Sequence, residues 1–595
     1  MQMAECCNKI RPGKNQGRGA LKVWKTISGD GPPAIQLAST YDLPLPVAEI
    51  LTSLGYRDMA DIERFLNPRL SDLSDPFLLP DMEPAVRRLQ QAIMADESIA
   101  VFGDYDVDGI VSAALLAQVL HCLGASKVTP CLPNRQDDGY GLSLAALRRC
   151  MAQCRPSLLI TVDCGANDTA AVHLAQTAGI DVIITDHHES NGQRVEALAV
   201  INPKLGQDDK LKVLAGVGVV FKLCHGLLKI RREQGLAVAP AIDLRKYLDF
   251  VAVGTVADIV PLTGENRILV RHGLTQMNQA MAPCWKSLVD IAGIRGAIDA
   301  QHIGYGLGPR LNAAGRMGNA DTSLELLLTD NMERVREIAV ELDGANRKRQ
   351  KIESEIVAEA MREIDAYFNE QEHFGLVIGK TGWHAGVIGI VASRLAARYH
   401  RPVVVVAFDP ESSKNRDGVG HGSCRSIEGY HLLNGLEQCR QYLLTYGGHQ
   451  MAAGLDIKQD QYEAFRTAFN QAVKVGLKGR DLRPIQRINA WITLEQVNDA
   501  LFAAMEALRP FGQDNPVPVL AVRGVRIQGQ PRRVGVNHLR FMVGDGRTSR
   551  SAIAFRMADI AIPEGPLDMA FTFQKNFFLG NTTLELNVQD IRKAE

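Results

Sequence analysis

The stretch Ile99-Ala100-Val101-Phe102-Gly103-Asp104-Tyr105-Asp106-Val107-Asp108-Gly109 joins a short apolar run to a cluster of aspartates. The same pairing recurs downstream. Leu158–Val162 is followed by Asp163-Cys164-Gly165, and Val182–Ile184 by Thr185-Asp186-His187-His188; another apolar run lies at Leu198–Ile201. Ile110–Leu123, Leu144–Cys154 and Ala170–Ala178, between the runs, carry helical spacing. Strand–helix alternation of this kind predicts a parallel sheet with right-handed crossovers. Ligands bind at the carboxyl ends of the strands in such a sheet, so three strand ends deliver Asp and His side chains to one line in space. Asp258, after the apolar stretch Val251–Val256, is a fourth contributor.

Several carboxylates within a few ångströms raise each other's pKa values, and divalent cations remove that cost. A mixed Asp/His set suits Mn²⁺ well and Mg²⁺ less, because imidazole is a poor Mg²⁺ ligand. A pair of such ions clamps the attacking and leaving oxygens of a phosphodiester. Read singly, any of these acids is a loop turn or a helix cap, Asp108 before the Ile110 helix most of all. Three coordinated strand ends favour a metal centre: Asp106, Asp108, Asp163, His187 and Asp258.

Outside this region the chain divides by pattern. Residues 1–45 are Gly/Pro-containing and basic (Lys9, Arg11, Lys14, Arg18, Lys22 and Lys25 against Glu5) and read as a disordered tail. Residues 46–97 read as short helices broken by Pro68, Pro76, Pro80 and Pro84. The sheet domain spans 98–330. The charged, proline-free stretch in 331–370 predicts a connecting helix. A second α/β unit over 371–480 has strands at Leu376–Ile378 and Val403–Phe408 around a helix at Val387–Tyr399. Alternating apolar residues and turn signals such as Gly544-Asp545-Gly546 make 481–595 β-rich.

With 595 residues, 46% hydrophobic and 22% charged, the chain reads as a soluble multidomain protein. The net charge of -1 excludes a uniformly basic surface but not local basic patches. One such patch lies near the C-terminus: Arg523, Arg526, Arg532, Arg533, Arg540, Arg547, Arg550 and Arg556, with Phe541 and Phe555 as local aromatics. No apolar run is long enough for a membrane span, and the first 30 residues lack a signal-peptide core. The 11 cysteines are irregularly spaced. Cys150 and Cys154 sit a helical turn apart without a second pair, which predicts reduced thiols in a cytoplasm and no zinc site.

The residues around the three strand ends match the motifs of the DHH phosphoesterases, and the resemblance extends along the chain. Asn134-Arg135 with Asp138-Gly139-Tyr140-Gly141, Gly254–Leu262 and Gly308–Arg316 are similar to further motifs of the RecJ exonucleases. Gly382–Ile390 and Gly447–Gly454 resemble the DHH-associated domain, and Pro510-Phe511-Gly512 with Asn515-Pro516 the opening of the family's OB-type domain.

The resemblance implies a single-stranded-DNA-specific 5′ to 3′ exonuclease of recombination and repair that releases 5′ mononucleotides with two Mn²⁺ or Mg²⁺ ions. It implies that Asp106 and Asp163 hold one ion and that Asp108, Asp163, His187 and Asp258 hold the other. His188 would act nearby, and Asp104 behind the ligands. Some members have His where Phe102 stands; Phe102 cannot ligate, so water or Asp104 compensates or the first ion binds more weakly. Arg135, Arg310 and Arg316 are implied to face phosphate, with Asn312 orienting one of them.

Ser423, Arg425 and Ser426 are implied to line a pocket for a 5′ phosphate. Cys424 replaces a glycine there, which would narrow the pocket. His449 is implied to face the phosphates across the cleft. The implied partners are single-stranded DNA, a single-strand-binding protein and a helicase, with the protein itself a monomer. Two other readings remain: a DHH enzyme for short oligoribonucleotides or cyclic dinucleotides, and a non-catalytic scaffold of the same fold.

Overall fold

β1 (Val23–Thr26) and a helix over Gly31–Tyr41 lie in the segment expected to be a disordered tail. The structure is a computed structural model and describes residues 22–27, 31–134, 141–192, 194–236, 242–317, 320–408, 418–560, 562–578 and 581–594. For its described part the disordered tail is corrected. Trp24 donates from Nε1 to Asp590 Oδ2 at 2.7 Å, its ring lies 5.9 Å from that of Trp491, and Ala34 and Leu37 are buried. These partners lie hundreds of residues away, where local composition does not reveal them. Helices Leu45–Ser53, Met59–Leu66 and Met82–Met94 follow. Pro84 does not break the last of these. It sits in the first turn, where its missing N–H has no helical acceptor to lose.

The central sheet contains β2 (Ile99–Gly103), β3 (Val128–Cys131), β4 (Leu158–Val162), β5 (Asp181–Thr185) and β6 (Ala199–Ile201). All neighbours are parallel, in the order β3-β2-β4-β5-β6. β2, β4 and β5 are almost wholly buried, which is why their sequences are continuous apolar runs rather than alternating ones. Gly103 pairs with Val162, and Val162 with Thr185. The next residues, Asp104, Asp163 and Asp186, therefore leave the sheet side by side.

One face of the sheet is covered by helices Val107–Cys122, Gly216–Glu233 and Leu248–Ala257, which share one large core. A 36-residue helix, Met332–Tyr367, leaves this domain. It is about 54 Å long at 1.5 Å per residue. Its first half buries Val335, Ile338 and Leu342 in the first domain, and its second half buries Ile356, Val357, Ala360 and Ile364 in the second.

The second domain has a five-stranded sheet of β7 (Leu376–Thr381), β8 (Val403–Phe408), β9 (Val419–Arg425), β10 (Leu443–Gly448) and β11 (Ala452–Lys458), ordered β10-β11-β9-β8-β7. The helices Ile388–Tyr399 and Tyr462–Gly476 cover its two faces. Near the C-terminus β12 (Ile485–Ile488) pairs in parallel with β1. β13 (Ala490–Trp491), β14 (Leu520–Val534), β15 (His538–Gly544), β16 (Ser549–Ala554), β17 (Leu567–Phe578) and β18 (Asn581–Lys593) form a six-stranded sheet. Pairing of β14 with β17 closes it into a barrel, which fits the OB-type expectation. The barrel interior and the N-terminal helices share one core, with Ile50, Leu51 and Phe65 beside Leu520, Val522 and Phe571.

Candidate metal centre and phosphate cradle

Asp106 caps the helix Val107–Cys122, accepting from the Gly109 N–H at 3.2 Å, and Asp108 lies within its first turn. Asp108 is buried and is held from another element. At the N-terminus of the helix Gly216–Glu233, the Gly216 N–H donates to Oδ2 at 2.7 Å and the Val217 N–H to Oδ1 at 3.0 Å. A carboxylate at a helix N-terminus meets unpaired amides and the positive end of the helix dipole. Even so, burial and then the Asp106 charge push Asp108 up to about 7.

Asp163 follows β4 in the left-handed region, with φ of 59°, and is buried. Burial, then the charges of Asp108, Asp106, Asp258 and Asp104, hold its carboxyl well above the usual range. Asp258 follows a helix rather than a strand. Val251–Val256 is part of the buried helix Leu248–Ala257, and Asp258 caps that helix at its C-terminus. Burial, then Asp108 and Asp106, raise Asp258 to about 9.

His187 and His188 are adjacent and differ in charge state. Burial, then the His188 charge, takes His187 down to about 4, so its imidazole is neutral. Its Nε2 lies 3.2 Å from Asp163 Oδ1 and 3.4 Å from Asp258 Oδ2. Burial would lower His188 too, but a 2.7 Å hydrogen bond to Asp186 Oδ1 and the charges of Asp186, Asp258 and Asp106 raise it to about 9.

Asp186 is the functional residue that the sequence reading quoted without assigning. Its oxygens accept from the N–H groups of Ala166, His187 and His188 as well as from the His188 ring. It therefore sets the orientation of both histidines. Asn202 adds a bond from Nδ2 to the His188 carbonyl at 2.9 Å.

Asp163 Oδ1 and His187 Nε2 are buried polar atoms without a hydrogen-bond partner. Such atoms are costly unless something unseen satisfies them. Ligand atoms of Asp108, His187 and Asp258 lie within 4.8 Å of one another, as do those of Asp163, His187 and His188. Mutually raised carboxylates around a neutral imidazole are the donor set that a divalent cation fits. Among the described residues Asp106 joins no such group of three, but its charge acts on Asp108, Asp163, Asp258 and His188. Asp104 is fully buried, and burial and then Asp106 push it well above its usual range. Phe102 is fully buried in the apolar layer with Leu147, Leu159 and Val182.

The second domain holds the candidate residues for an anion cradle. Along β9 exposure alternates, with Ser423 and Arg425 half-exposed on one face and Cys424 fully buried in the core on the other. Cys424 therefore does not narrow the pocket. The cradle depends instead on Gly389, in the first turn of the helix Ile388–Tyr399: a Cβ there would lie 3.1 Å from Ser423 Oγ and 3.4 Å from Arg425 Nη2. A bare helix N-terminus facing a hydroxyl and a guanidinium can hold a phosphate. Ser426 is buried with its hydroxyl turned to the Tyr430 carbonyl at 2.9 Å, so its side chain is turned inward.

The basic candidates divide. Arg310 is held side-on by Asp343 of the long helix, at 3.0 and 2.8 Å, and donates to the Gly306 carbonyl at 2.7 Å. Its guanidinium thereby braces two helices. Arg316, on the helix Gly308–Met317 with half-buried Asn312, donates to the Gly386 carbonyl at 3.2 Å and so reaches the second domain. His449 is exposed, and its charge acts on Glu189, next to His188. Arg135 lies outside the described residues.

On the barrel, Arg540 pairs with Glu585, Arg533 with Asp559 and Arg523 stacks on Trp491, while Arg526, Arg532 and Arg547 are exposed. Phe541, expected as a local aromatic, is in the barrel core. No helix among the described residues is long and apolar enough to cross a membrane.

Comparison with known proteins agrees with this geometry. Residues 98–255 match the DHH family N-terminal domain, 372–475 the DHHA1 domain and 488–590 the RecJ OB domain. The chain is 35% identical over 568 residues to the single-stranded-DNA-specific exonuclease RecJ of Salmonella typhimurium, covering 92% of this chain and 96% of that protein. It is 34% identical over 521 residues to the Bacillus subtilis protein of the same name, covering 86% of this chain and 63% of that one. RecJ of Thermus thermophilus in complex with Mn²⁺ superposes with a TM-score of 0.81 at 28% identity, over 96% of this chain and 80% of that one. The Mg²⁺ complex gives 0.75 at 27% identity, over 96% and 79%.

Proposed function

The chain belongs to the RecJ family of exonucleases, and on that premise we propose that it hydrolyses single-stranded DNA from the 5′ end with two divalent ions, Mn²⁺ or Mg²⁺, releasing 5′ mononucleotides. The observation that carries this reading is a short physical path between the two sites. The metal loop at Tyr105 packs on Gly315, Arg316 bonds to Gly386, and Gly386 precedes the helix whose Gly389 faces Ser423 and Arg425. An anion cradle tied so closely to the carboxylate cluster suits a terminal phosphate held one nucleotide from the bond to be cut.

When bound, a pair of divalent ions neutralises phosphate charge and acidifies an attacking water. Asp106 and Asp163 would hold one ion, and Asp108, Asp163, His187 and Asp258 the other. The chain's own groups do the rest. The Gly216 and Val217 amides fix Asp108, neutral His187 offers a lone pair at Nε2, and Asp104 backs the cluster from the interior. With Nδ1 on Asp186, His188 can direct an N–H from Nε2 at a phosphate oxygen. Arg316, which bonds to Gly386, and His449, whose charge acts on Glu189, would face the strand together with Asn312; Arg135 belongs to the same set by resemblance, and exposed barrel arginines would attract the strand beyond.

A monomer acting in a cytoplasm on DNA exposed in recombination and repair fits this reading, with a helicase and a single-strand-binding protein as partners. The test is digestion of end-labelled, 5′-phosphorylated strands of graded length with Mn²⁺ or Mg²⁺. The expected result is 5′ mononucleotide release from long single strands, absent in Asp163→Ala. Activity confined to very short oligomers, release from the 3′ end, or an unchanged rate in Asp163→Ala would each overturn it.

A further inference from the structure

A second ligand cluster lies apart from the carboxylates. Cys131 ends β3, and Cys150 and Cys154 are one turn apart on the helix Leu144–Cys154. Cys150 Sγ is 3.1 Å from Cys131 Sγ, and the three Sγ atoms lie within 4.8 Å of one another. Cys131 and Cys150 are buried and Cys154 is half-buried; all three are free thiols. Cys131 and Cys150 border a cavity of about 400 Å³ whose wall also carries Arg149, Gln153, Asp321 and Glu325.

Packing alone does not explain this arrangement. A buried cysteine behaves as a small hydrophobe, and apolar contact does not require three sulfurs from two elements to meet at one point. Sulfurs that share a tetrahedral zinc ion, each about 2.3 Å from it, are about 3.5–4 Å apart. The Cys131–Cys150 separation of 3.1 Å is a little shorter than that, and no Sγ pair in the group is more than 4.8 Å apart. The cavity leaves room for a fourth oxygen ligand, either water or a carboxylate from its wall. The cysteines lack CxxC spacing because the third thiol comes from a strand, so sequence spacing alone argues against a site that the fold assembles.

We propose that Cys131, Cys150 and Cys154 bind one thiophilic divalent metal ion, zinc in chemical class, as a structural clamp. Binding replaces three S–H bonds by three metal–sulfur bonds and releases three protons to solvent. The clamp joins the end of β3 to the helix Leu144–Cys154. These two elements bracket residues 132–143, the segment that contains Arg135.

The test uses the full chain, purified reduced, stripped with chelator and reloaded with Cd²⁺ or Co²⁺ while excess Mn²⁺ fills the carboxylate centre. The expected result is a thiolate-to-metal charge-transfer band that saturates at one equivalent per chain. It should persist in Cys6→Ser/Cys7→Ser and be lost in Cys154→Ser. If that variant does not fold, the wild-type protein still decides: Zn²⁺ should raise its melting temperature with Mn²⁺ already saturating, and protect three thiols from alkylation. No band in the wild type, a band lost only with Cys6 and Cys7, or a metal-free protein isolated with a Cys131–Cys150 disulfide would each overturn the proposal.

Discussion

At the residue scale, the carboxylate cluster makes stability and metal binding depend jointly on pH. In the metal-free fold Asp108 titrates near 7 and Asp258 near 9, both above the ordinary carboxylate value. His188, also near 9, lies above the ordinary imidazole value. A group whose folded pKa is raised contributes stability that is complete below its unfolded pKa and lost as pH rises through the folded one. All three shifts have that sign, so their contribution to the metal-free protein should be lost progressively from about pH 4, where the two carboxylates begin, to about pH 9. A bound cation offsets the repulsion. The rise in melting temperature of the sheet domain on adding Mn²⁺ should therefore be larger near pH 9 than near pH 6, by about 2–4 °C for each kcal/mol involved in a unit of that size. Equal increments at both pH values would contradict the assignment. Asp186→Asn tests the positioning of His188 separately. Its protonated form should be lost at lower pH, moving the alkaline limb of the rate profile down by about one to two units. The rate itself should fall about 10–100-fold. An unmoved limb would leave Asp186 with a purely structural role.

At the element scale, the centre depends on helices as much as on strands. Gly254, in the helix Leu248–Ala257, has no side chain because Asp108 occupies the space; a Cβ there would lie 2.6 Å from Asp108 Oδ1 and 2.7 Å from Val111 Cγ2. Gly254→Ala should displace the Asp108 carboxylate, and a misplacement of about 1 Å can lower activity about 100-fold. The secondary-structure content should stay unchanged by circular dichroism, and full activity in the variant would show that the carboxylate has slack. The legible candidate ligands are those whose chemistry sits where the hydropathy pattern changes, at Asp106, Asp163 and His187. Asp258 is legible as a residue but not as a helix cap, because a wholly buried helix and a buried strand share the same apolar run. Gly216 and Gly389 act through backbone amides and missing side chains, so composition gives no sign of them. β3 escapes the pattern because Thr129 and Pro130 interrupt its apolar residues. Cys424 is misread for the opposite reason: its motif position is visible, but the face of β9 it occupies depends on strand alternation.

For the whole molecule, the deciding contact is a buried cation between modules. Arg267 of the sheet domain is 2% exposed and stacks at 3.7 Å over Phe65 of the N-terminal helices. It donates to the carbonyls of Phe65, Leu508 and Ala507 at 2.8, 3.0 and 3.2 Å. Among the described residues no carboxylate accompanies these bonds, and burial, then Arg271, lowers its pKa to about 9. Two further ties flank it: Arg509 to Asp299 at 3.0 Å, and the Leu262 N–H to the Gln513 carbonyl at 2.9 Å. The barrel is thus fixed to the sheet domain near the Asp258 helix. Arg267→Met keeps apolar bulk against Phe65 but leaves the Phe65 carbonyl without its donor, at a cost of about 1–3 kcal/mol, while Arg271 and Asn515 still donate to the Ala507 and Leu508 carbonyls. Calorimetry should then resolve the barrel with its N-terminal helices as a separate, earlier transition. Hydrolysis of short oligomers, which need only the carboxylates and the cradle, should be retained, while long-strand digestion should fall and become more salt-sensitive. A single unshifted transition, or equal losses on short and long strands, would mean that the barrel is held to the sheet domain by other contacts.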